Sequence, residues 1–271
     1  MRLRLFALSL ACLSAGCGGG SPLLHPARTL STGDVRAAGG LSANIVPGSL
    51  ANDLAQARAI AAADPSTPGA PGSNPDYAKG ALVAAAIAPG LAPYAGARVG
   101  IGARYEAGLA YTGRAVRVDV RRAFGDGPWT FSAGAGGSAA LYGRQQGTEL
   151  PNVAIGAMRG YGFDVPLLAG WESAGGIYKA WFGARGGFER IAIEELTSEP
   201  KSVTIGTPPI DLRASRFYGG GVVGIATGFH HVHVALEASV AYQVVNGSYN
   251  ATSATVHGIT IAPATALWWS F

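Results

Sequence analysis

The last sixteen residues, 256–271, alternate between two unlike sets of side chains. One set is largely apolar and ends on an aromatic residue: Ile259, Ile261, Pro263, Thr265, Leu267, Trp269 and Phe271. The other set is made mostly of small residues: Gly258, Thr260, Ala262, Ala264, Ala266, Trp268 and Ser270. A period of two residues indicates a β-strand, because successive side chains point to opposite faces. An apolar face opposite a face of small residues is typical of a strand that lies between lipid and a packed barrel lumen.

The composition excludes several other classes of protein. Glycine accounts for 41 of 271 residues, and only 13% of the residues are charged, against about a quarter in ordinary soluble domains. No apolar run is long enough for a membrane-spanning helix. The formal net charge of +4 is small and scattered, so we expect no nucleic-acid binding.

The first residues have the order of a secretory signal peptide. Arg2 and Arg4 precede an apolar run over 5–13, and small residues follow it. The segment from Leu13 to Cys17 then resembles the lipobox of bacterial lipoproteins. The resemblance implies a signal peptide at 1–16 that is removed, and a lipid on Cys17. Conventional cleavage, with Cys17 left unmodified, is the alternative.

The segments before the main strand pattern contain one helical stretch. Residues 17–32 are rich in Gly, Ser and Pro without a period, which predicts a lipid-anchored tether. Residues 46–79 predict a long loop that contains a helix at 49–63, with Ser49 as its N-cap. The Pro/Gly-rich run at 64–77 predicts neither helix nor strand.

The alternating pattern of the last strand recurs along the chain and predicts an all-β, antiparallel transmembrane barrel of about ten strands. The predicted strands are 33–46, 80–100, 104–112, 114–124, 129–142, 161–171, 176–191, 212–229, 231–245 and 256–271. If 33–46 and 80–100 lie outside the sheet, eight strands remain. Short connections alternate with long ones, as in barrels with short periplasmic turns and long outer loops. This parity predicts a periplasmic N-terminus and a barrel domain at 33–271.

The two faces of the predicted strands indicate what they contact. Aromatic residues cluster at strand ends on the apolar face, as expected where a barrel meets lipid headgroups. The opposite face carries charges of both signs: Arg117, Asp119, Arg121, Asp164, Lys179, Arg185, Glu189 and Glu237, with Arg98 and Glu106 if the register holds. Because an unpaired buried charge costs several kcal/mol, we expect Arg–carboxylate pairs that close the lumen.

The end of the chain resembles a known family. Leu267, Trp269 and the terminal Phe271 are similar to the C-terminal signal of bacterial outer-membrane β-barrels. The resemblance implies residence in the outer-membrane bilayer and recognition by the barrel-insertion machinery. It implies no particular activity, cofactor, ligand or protein partner.

Two motifs suggest other chemistry and are set aside. The run 219–224 fits a dinucleotide-binding fingerprint, but it lies inside a strand pattern with no helix after it. His230, His231 and His233 lie beside a predicted short turn without a cysteine or a second acidic partner, so no metal site is predicted. We predict no catalytic residues and no cofactor.

These patterns favour an outer-membrane barrel lipoprotein with a structural or surface-interaction role and a closed lumen. A small passive channel is the alternative, since the same charges could line an ion path. A barrel hydrolase or acyltransferase is a third hypothesis. We do not expect an enzyme, because the only histidine near the predicted outer rim, His257, lies on the apolar face.

Overall fold

The computed structural model describes residues 20–63, 74–140, 150, 158–194, 211–229 and 231–271. Ten antiparallel strands form one closed barrel in which each strand pairs with its sequence neighbours and the first pairs with the last. The strands are β1 (Val35–Asn44), β2 (Gly90–Gly102), β3 (Tyr105–Tyr111), β4 (Ala115–Phe124), β5 (Trp129–Ala140), β6 (Met158–Glu172), β7 (Tyr178–Glu194), β8 (Asp211–Phe229), β9 (Val232–Tyr249) and β10 (Thr252–Ser270).

The closure of the barrel confirms ten strands and excludes the eight-strand alternative. β1 pairs with β10, with Arg36 opposite Ser270 and Gly39 opposite Leu267. On its other side β1 pairs with β2 over its whole length. Both strands whose membership was open in the sequence are therefore needed to close the sheet.

The connections divide the barrel into two different ends. Short links join β2 to β3, β4 to β5, β6 to β7 and β8 to β9, and we call this the turn end. The other connections leave from the opposite, loop end: those at 45–89, 141–157 and 195–210 are long, whereas the β3–β4 and β9–β10 links are tight. The expected long connection after β9 is therefore wrong. In the β2–β3 turn, Gly102, Ala103 and Arg104 all have positive φ angles, which lets the chain reverse within two residues.

The outer face of the barrel has an apolar band bounded by aromatic residues, with polar residues such as Arg213 and Asn246 beyond it at the loop end. In β10 the residues of the proposed insertion signal point outward, with Leu267 53% exposed, Trp269 51% and Phe271 69%. Exposed aromatic side chains concentrate toward the turn end: Tyr105, Phe124, Trp129, Phe131, Trp171, Tyr178, Phe229, Trp269 and Phe271. A second group lies toward the loop end: Tyr111, Tyr161, Phe163, Phe217 and Tyr242. Two aromatic girdles around an aliphatic band are the pattern of a lipid-facing surface.

The loop between β1 and β2 contains two helices where the sequence predicted one. Helix α1 (Ser49–Ala63) has the predicted bounds. Helix α2 (Pro75–Leu82) continues as one π-helical turn, Val83–Ile87, so strand β2 begins at Gly90 and not near residue 80. The prediction of a strand over 80–89 is therefore wrong, and so is the prediction of neither helix nor strand over 64–77 where it covers Pro75 to Tyr77.

The capping of α2 explains this difference. The Asn74 side chain accepts hydrogen bonds from the main-chain N–H groups of Asp76 at 2.9 Å and Tyr77 at 3.4 Å. Pro75 occupies the first helical turn, where its missing N–H costs nothing. Ala88, with φ of 52°, ends the π-helical turn. Neither helix, in the part of the chain that the structure describes, is long and apolar enough to cross a membrane.

Two segments fill the barrel interior. Toward the loop end lies the cap, which we define as α1, α2 and the π-helical turn, and which packs mainly on β8, β9 and β10. Closer to the turn end lies the plug, which we define as residues 20–32. The sequence predicted a tether for this segment, but the structure places it inside the barrel with Leu23, Leu24 and Ala27 buried.

Candidate functional site

In chain direction the plug runs from Gly20, near the loop end of β1, to the turn end, where β1 begins. Just after the plug, the N–H of Gly33 donates to the carbonyl oxygen of Gly100 in β2 at 2.8 Å. At the other end, Ser42 near the loop end of β1 donates its hydroxyl to the carbonyl oxygen of Gly20 at 3.3 Å. The plug therefore follows the barrel wall over most of the length of β1.

Beside the plug, buried charges of five strands form one continuous network. In spatial order its members are Arg121, Glu106, Arg98, Asp119, Arg117, Asp164 and Arg185. The N···O distances from Arg117 to Asp119 and to Asp164 are both 2.8 Å. Arg185 meets the second oxygen of Asp164 at 2.9 Å. Each carboxylate thus lies between two arginines, the arrangement that lets buried charges compensate one another.

Glycines on the inner face make room for this network. A Cβ atom at Gly108 would lie 2.5 Å from both Arg98 Nη1 and Asp119 Oδ1. A Cβ atom at Gly136 would lie 2.5 Å from Arg117 Nη2. Ion pairs that lie flat against the strands need positions without a side chain, which gives the high glycine content a packing role.

Three of the charged residues singled out in the sequence have partners outside this network. Lys179 pairs with Glu172 at 2.5 Å near the turn end. Glu189 lies near the loop end and pairs with Arg216 at 3.2 Å and Arg114 at 3.6 Å. Glu237 accepts hydrogen bonds from the plug and from the indole N–H of Trp181 at 3.0 Å.

Main-chain atoms of the plug bind charged side chains of the wall. Glu237 accepts hydrogen bonds from the N–H groups of Leu23 at 2.7 Å and Leu24 at 2.8 Å, one on each carboxylate oxygen. Glu106 accepts from the N–H of Leu30 at 2.8 Å. These contacts satisfy plug N–H groups that the lumen shields from water.

The carbonyl oxygens of the plug are held by arginines. Arg121 donates to the carbonyl oxygens of three consecutive plug residues: Pro26, Ala27 at 3.3 Å and Arg28 at 3.1 Å. Arg185 donates to the carbonyl oxygen of Ser21. The same two arginines belong to the buried network, so the plug completes their hydrogen bonding.

The side chains of Leu23 and Leu24 lie in an apolar layer of the lumen. This layer includes Trp181 and Trp268, whose rings stack with centroids 5.8 Å apart. The guanidinium of Arg36 lies 4.8 Å from the Trp268 ring, a cation–π contact that shields the layer from the turn end. Ala27, in the same layer, is fully buried.

The cap closes the lumen on the other side of the network. The carbonyl oxygens of Ala85 and Ala86 accept hydrogen bonds from Arg114 at 3.2 Å and Arg216 at 2.7 Å. The Asn44 side-chain amide donates to the carbonyl oxygen of Ile87 at 2.6 Å. Because the carboxyl end of a helix carries partial negative charge, the two arginines at this position stabilise the packing of the cap on the barrel.

The polar groups on the outer side of the cap do not form a catalytic arrangement in the described residues. Asp76 accepts hydrogen bonds from Gln56 at 2.8 Å and Lys79 at 3.0 Å. The bond to Asp76 raises the pKa of Lys79, and burial raises the pKa of the Asp53 carboxyl. The exposed His257 has its carbonyl oxygen, not its ring, bonded to Ser49.

The histidines at the turn end serve as hydrogen-bonding groups in the structure. The ring of His231 bonds the carbonyl oxygen of Ser270 at 2.8 Å, and that of His233 bonds the carbonyl oxygen of Gly176 at 3.1 Å. His230 lies outside the described residues, as does Cys17. Within the described ranges, no group of three or more His, Cys, Asp or Glu side chains is placed to hold a metal ion.

One cavity among the described residues, of about 80 Å³, is lined by Leu23 of the plug and by Arg117, Arg216 and Glu189 of the wall. Another, of about 390 Å³, opens at the turn end beside the end of the plug and is lined in part by Arg36 and Glu172.

Several residues that close the lumen were missed in the sequence. Arg36, Arg114 and Arg216 were not identified as lumen groups, although strand parity places Arg36 and Arg216 on the inner face. Arg114 lies in the link before β4. Trp181 and Trp268 carry a weak signal, since Trp268 is a large aromatic residue among small ones. The plug carries almost no sequence signal, because its contacts with the wall use main-chain atoms.

Comparison with known proteins finds remote likeness to solved structures. No protein-family model matches the sequence, and no curated protein matches it. Among solved structures, Neisserial surface protein A is similar at 10% identity over 88% of this chain and 96% of that one, with a TM-score of 0.32. The outer-membrane protease OmpT of Escherichia coli is similar at 10% identity over 90% and 99%, with a TM-score of 0.40.

An anion-selective porin of Comamonas acidovorans is also similar, at 11% identity over 67% of this chain and 60% of that one, with a TM-score of 0.19. At these identities the likeness concerns the fold alone, and the activities of these proteins are not transferred to this chain. The chain itself is a closed, ten-stranded antiparallel β-barrel with a filled lumen.

Proposed function

We propose that this protein is a bacterial outer-membrane β-barrel with a closed lumen and a structural or surface-interaction role. The observation that carries the proposal is the contrast between the two faces of one sheet. The outer face has an aliphatic band between two aromatic girdles, while the inner face holds paired charges covered by a plug and a cap. A sheet of this kind is stable only with lipid outside and a packed interior.

The arrangement of the connections supports one orientation in the membrane. In outer-membrane barrels the short turns are periplasmic and the long loops are external. By this rule the turn end faces the periplasm, and the cap lies on the outer side. In chain direction the plug then runs from the side of the cap to the periplasmic end.

We expect the purified protein to show no stable openings in planar lipid bilayers. The plug and the cap each block the lumen, and the charge network spans the space beside the plug. A porin reconstituted in the same bilayers provides the positive control. Stable, reproducible single-channel steps from the wild-type protein would instead support the passive-channel alternative and overturn the closed-lumen proposal.

The lipid anchor is a further part of the proposal. It rests on the resemblance of residues 13–17 to a lipobox.

We expect cells that express the protein to incorporate radiolabelled palmitate into it, and Cys17→Ser to abolish the label. The thiol of Cys17 is the predicted acylation site, and Cys12 lies in the segment predicted to be removed. Immunoprecipitation followed by autoradiography measures the label, and Ser14→Ala serves as a control that leaves the thiol intact. Equal labelling of wild type and Cys17→Ser would remove the lipid anchor from the proposal.

A further inference from the structure

Charged side chains of the lumen wall form hydrogen bonds with main-chain groups of the plug. Glu237 and Glu106 accept hydrogen bonds from plug N–H groups, and Arg121 and Arg185 donate to plug carbonyl groups. Wall side chains of both signs thus recognise the two kinds of main-chain group that any polypeptide carries. This recognition uses main-chain groups, and the bound chain is not fully extended, because Leu24 has a φ of 49°.

Two charged side chains of the wall depend on the plug for part of their hydrogen bonding. If the plug left, Glu237 would keep only the indole N–H of Trp181 as a partner. Arg121 would lose its carbonyl acceptors and keep Glu106 alone. Buried charged groups without hydrogen bonds are costly, so the vacated lumen would favour another segment with the same main-chain groups.

Side-chain pockets limit which segment fits. Leu23 and Leu24 are each 2% exposed in the layer of Trp181 and Trp268. Ala27 lies against Gly170, where a Cβ atom would come within 2.9 Å of the Ala27 Cβ. The site therefore suits two adjacent aliphatic residues followed, three positions after the second, by a small residue.

We propose that the barrel lumen is a binding site for a polypeptide with this pattern, and that residues 20–32 are its resident occupant. Because the occupant is covalently joined to β1, its effective concentration at the site is high, in the millimolar range typical of short linkers. A second chain gains access only when the resident segment is weakened. The inference deepens the closed-lumen proposal and rests on it for the barrel's environment.

The test uses the full-length protein in detergent and a synthetic peptide with the sequence of residues 20–32, labelled with fluorescein at its carboxyl end. In the variant Leu23→Asp/Leu24→Asp, two carboxylates would have to be buried beside Glu237, which expels the resident segment. The matched control, Ser31→Asp/Thr32→Asp, adds the same charge at exposed plug positions.

We expect saturable binding of the peptide, read by fluorescence anisotropy, to the Leu23→Asp/Leu24→Asp protein only. Wild type and the control variant should not bind it, because their own segments occupy the lumen. Adding Glu237→Gln to the binding-competent variant should weaken binding at least about tenfold, since hydrogen bonds to a charged group are lost. A peptide with aspartate in place of both leucines should not bind.

Two results would overturn the inference. One is the absence of peptide binding by the aspartate variant when its mobility on gels still changes on boiling, which shows an intact barrel. The other is equal binding to wild type and variant, which would show adsorption to the micelle. If the aspartate variant does not fold, Leu23→Gly/Leu24→Gly removes the same apolar contacts without adding charge. Conduction by the wild-type protein, measured separately, would count against the closed lumen and not against peptide binding.

Discussion

Asp164→Asn is expected to lower the free energy of unfolding by about 3–5 kcal/mol, the range for breaking a buried ion pair by removing one partner. Asp164 accepts from Arg117 Nε at 2.8 Å and from Arg185 Nε at 2.9 Å, and it is almost fully buried. The substitution keeps the shape of the side chain but leaves two guanidinium groups with less compensation. Guanidinium titration of the protein refolded in phospholipid vesicles measures the change.

The control for this variant is Asp126→Asn. Asp126 also pairs with an arginine, Arg104, but its side chain is 84% exposed at the turn end, so the expected loss is within about 1 kcal/mol. The double variant Asp164→Asn/Arg185→Met should recover part of the lost stability, because it removes one uncompensated cation. Equal losses for Asp164→Asn and Asp126→Asn would contradict the network as a source of stability.

Leu236→Arg is expected to destabilise the barrel in vesicles by about 2–4 kcal/mol, as for a cation on the lipid face near the bilayer midplane. Leu236 is 50% exposed on the outer face of β9, opposite Ile225 in β8. It lies between the turn-end aromatics Phe229 and Trp269 and the loop-side Tyr242. The same titration in vesicles gives the measurement.

Asn246→Arg is the matched control for this position. Asn246 is exposed on the same strand, four residues beyond Tyr242 toward the loop end, where its side chain bonds the Thr255 hydroxyl at 2.9 Å. Outside the aromatic girdle an arginine meets water or headgroups, so the expected change is about 0–1 kcal/mol. In detergent the two variants should differ less than in vesicles. A Leu236→Arg barrel as stable in vesicles as wild type would argue against lipid on this face.

Much of the barrel could be predicted because alternation is a local signal with a strong physical cause. A strand with lipid on one side and a packed lumen on the other repeats every two residues, and β8, β9 and β10 show this over eighteen or nineteen residues each. The short β1 is less regular, so its place in the sheet stayed open until its pairing with β10 and β2 was seen.

The second helix was missed because its signals are short and mixed with loop residues. Pro75 and Asp76 belong to a run of Pro, Gly and Ser that predicts irregular structure, and the apolar residues after them fit a strand as well as a helix. In the structure, Asn74 acts as the N-cap of the helix, and the burial of Tyr77 and Leu82 against β8, β9 and β10 stabilises it.

The sequence by itself determined the alternating strand pattern, which strand residues face outward, and most of the charged residues that point into the lumen. Each of these follows from the two solvents that a single strand contacts, and no distant residue needs to be known. The tertiary structure alone decided that residues 20–32 lie in the lumen and that Glu237 binds them, although Leu23 and Glu237 are 214 positions apart. That pairing depends on barrel closure and register, and it uses main-chain groups that every sequence has, so no pattern of side chains could reveal it.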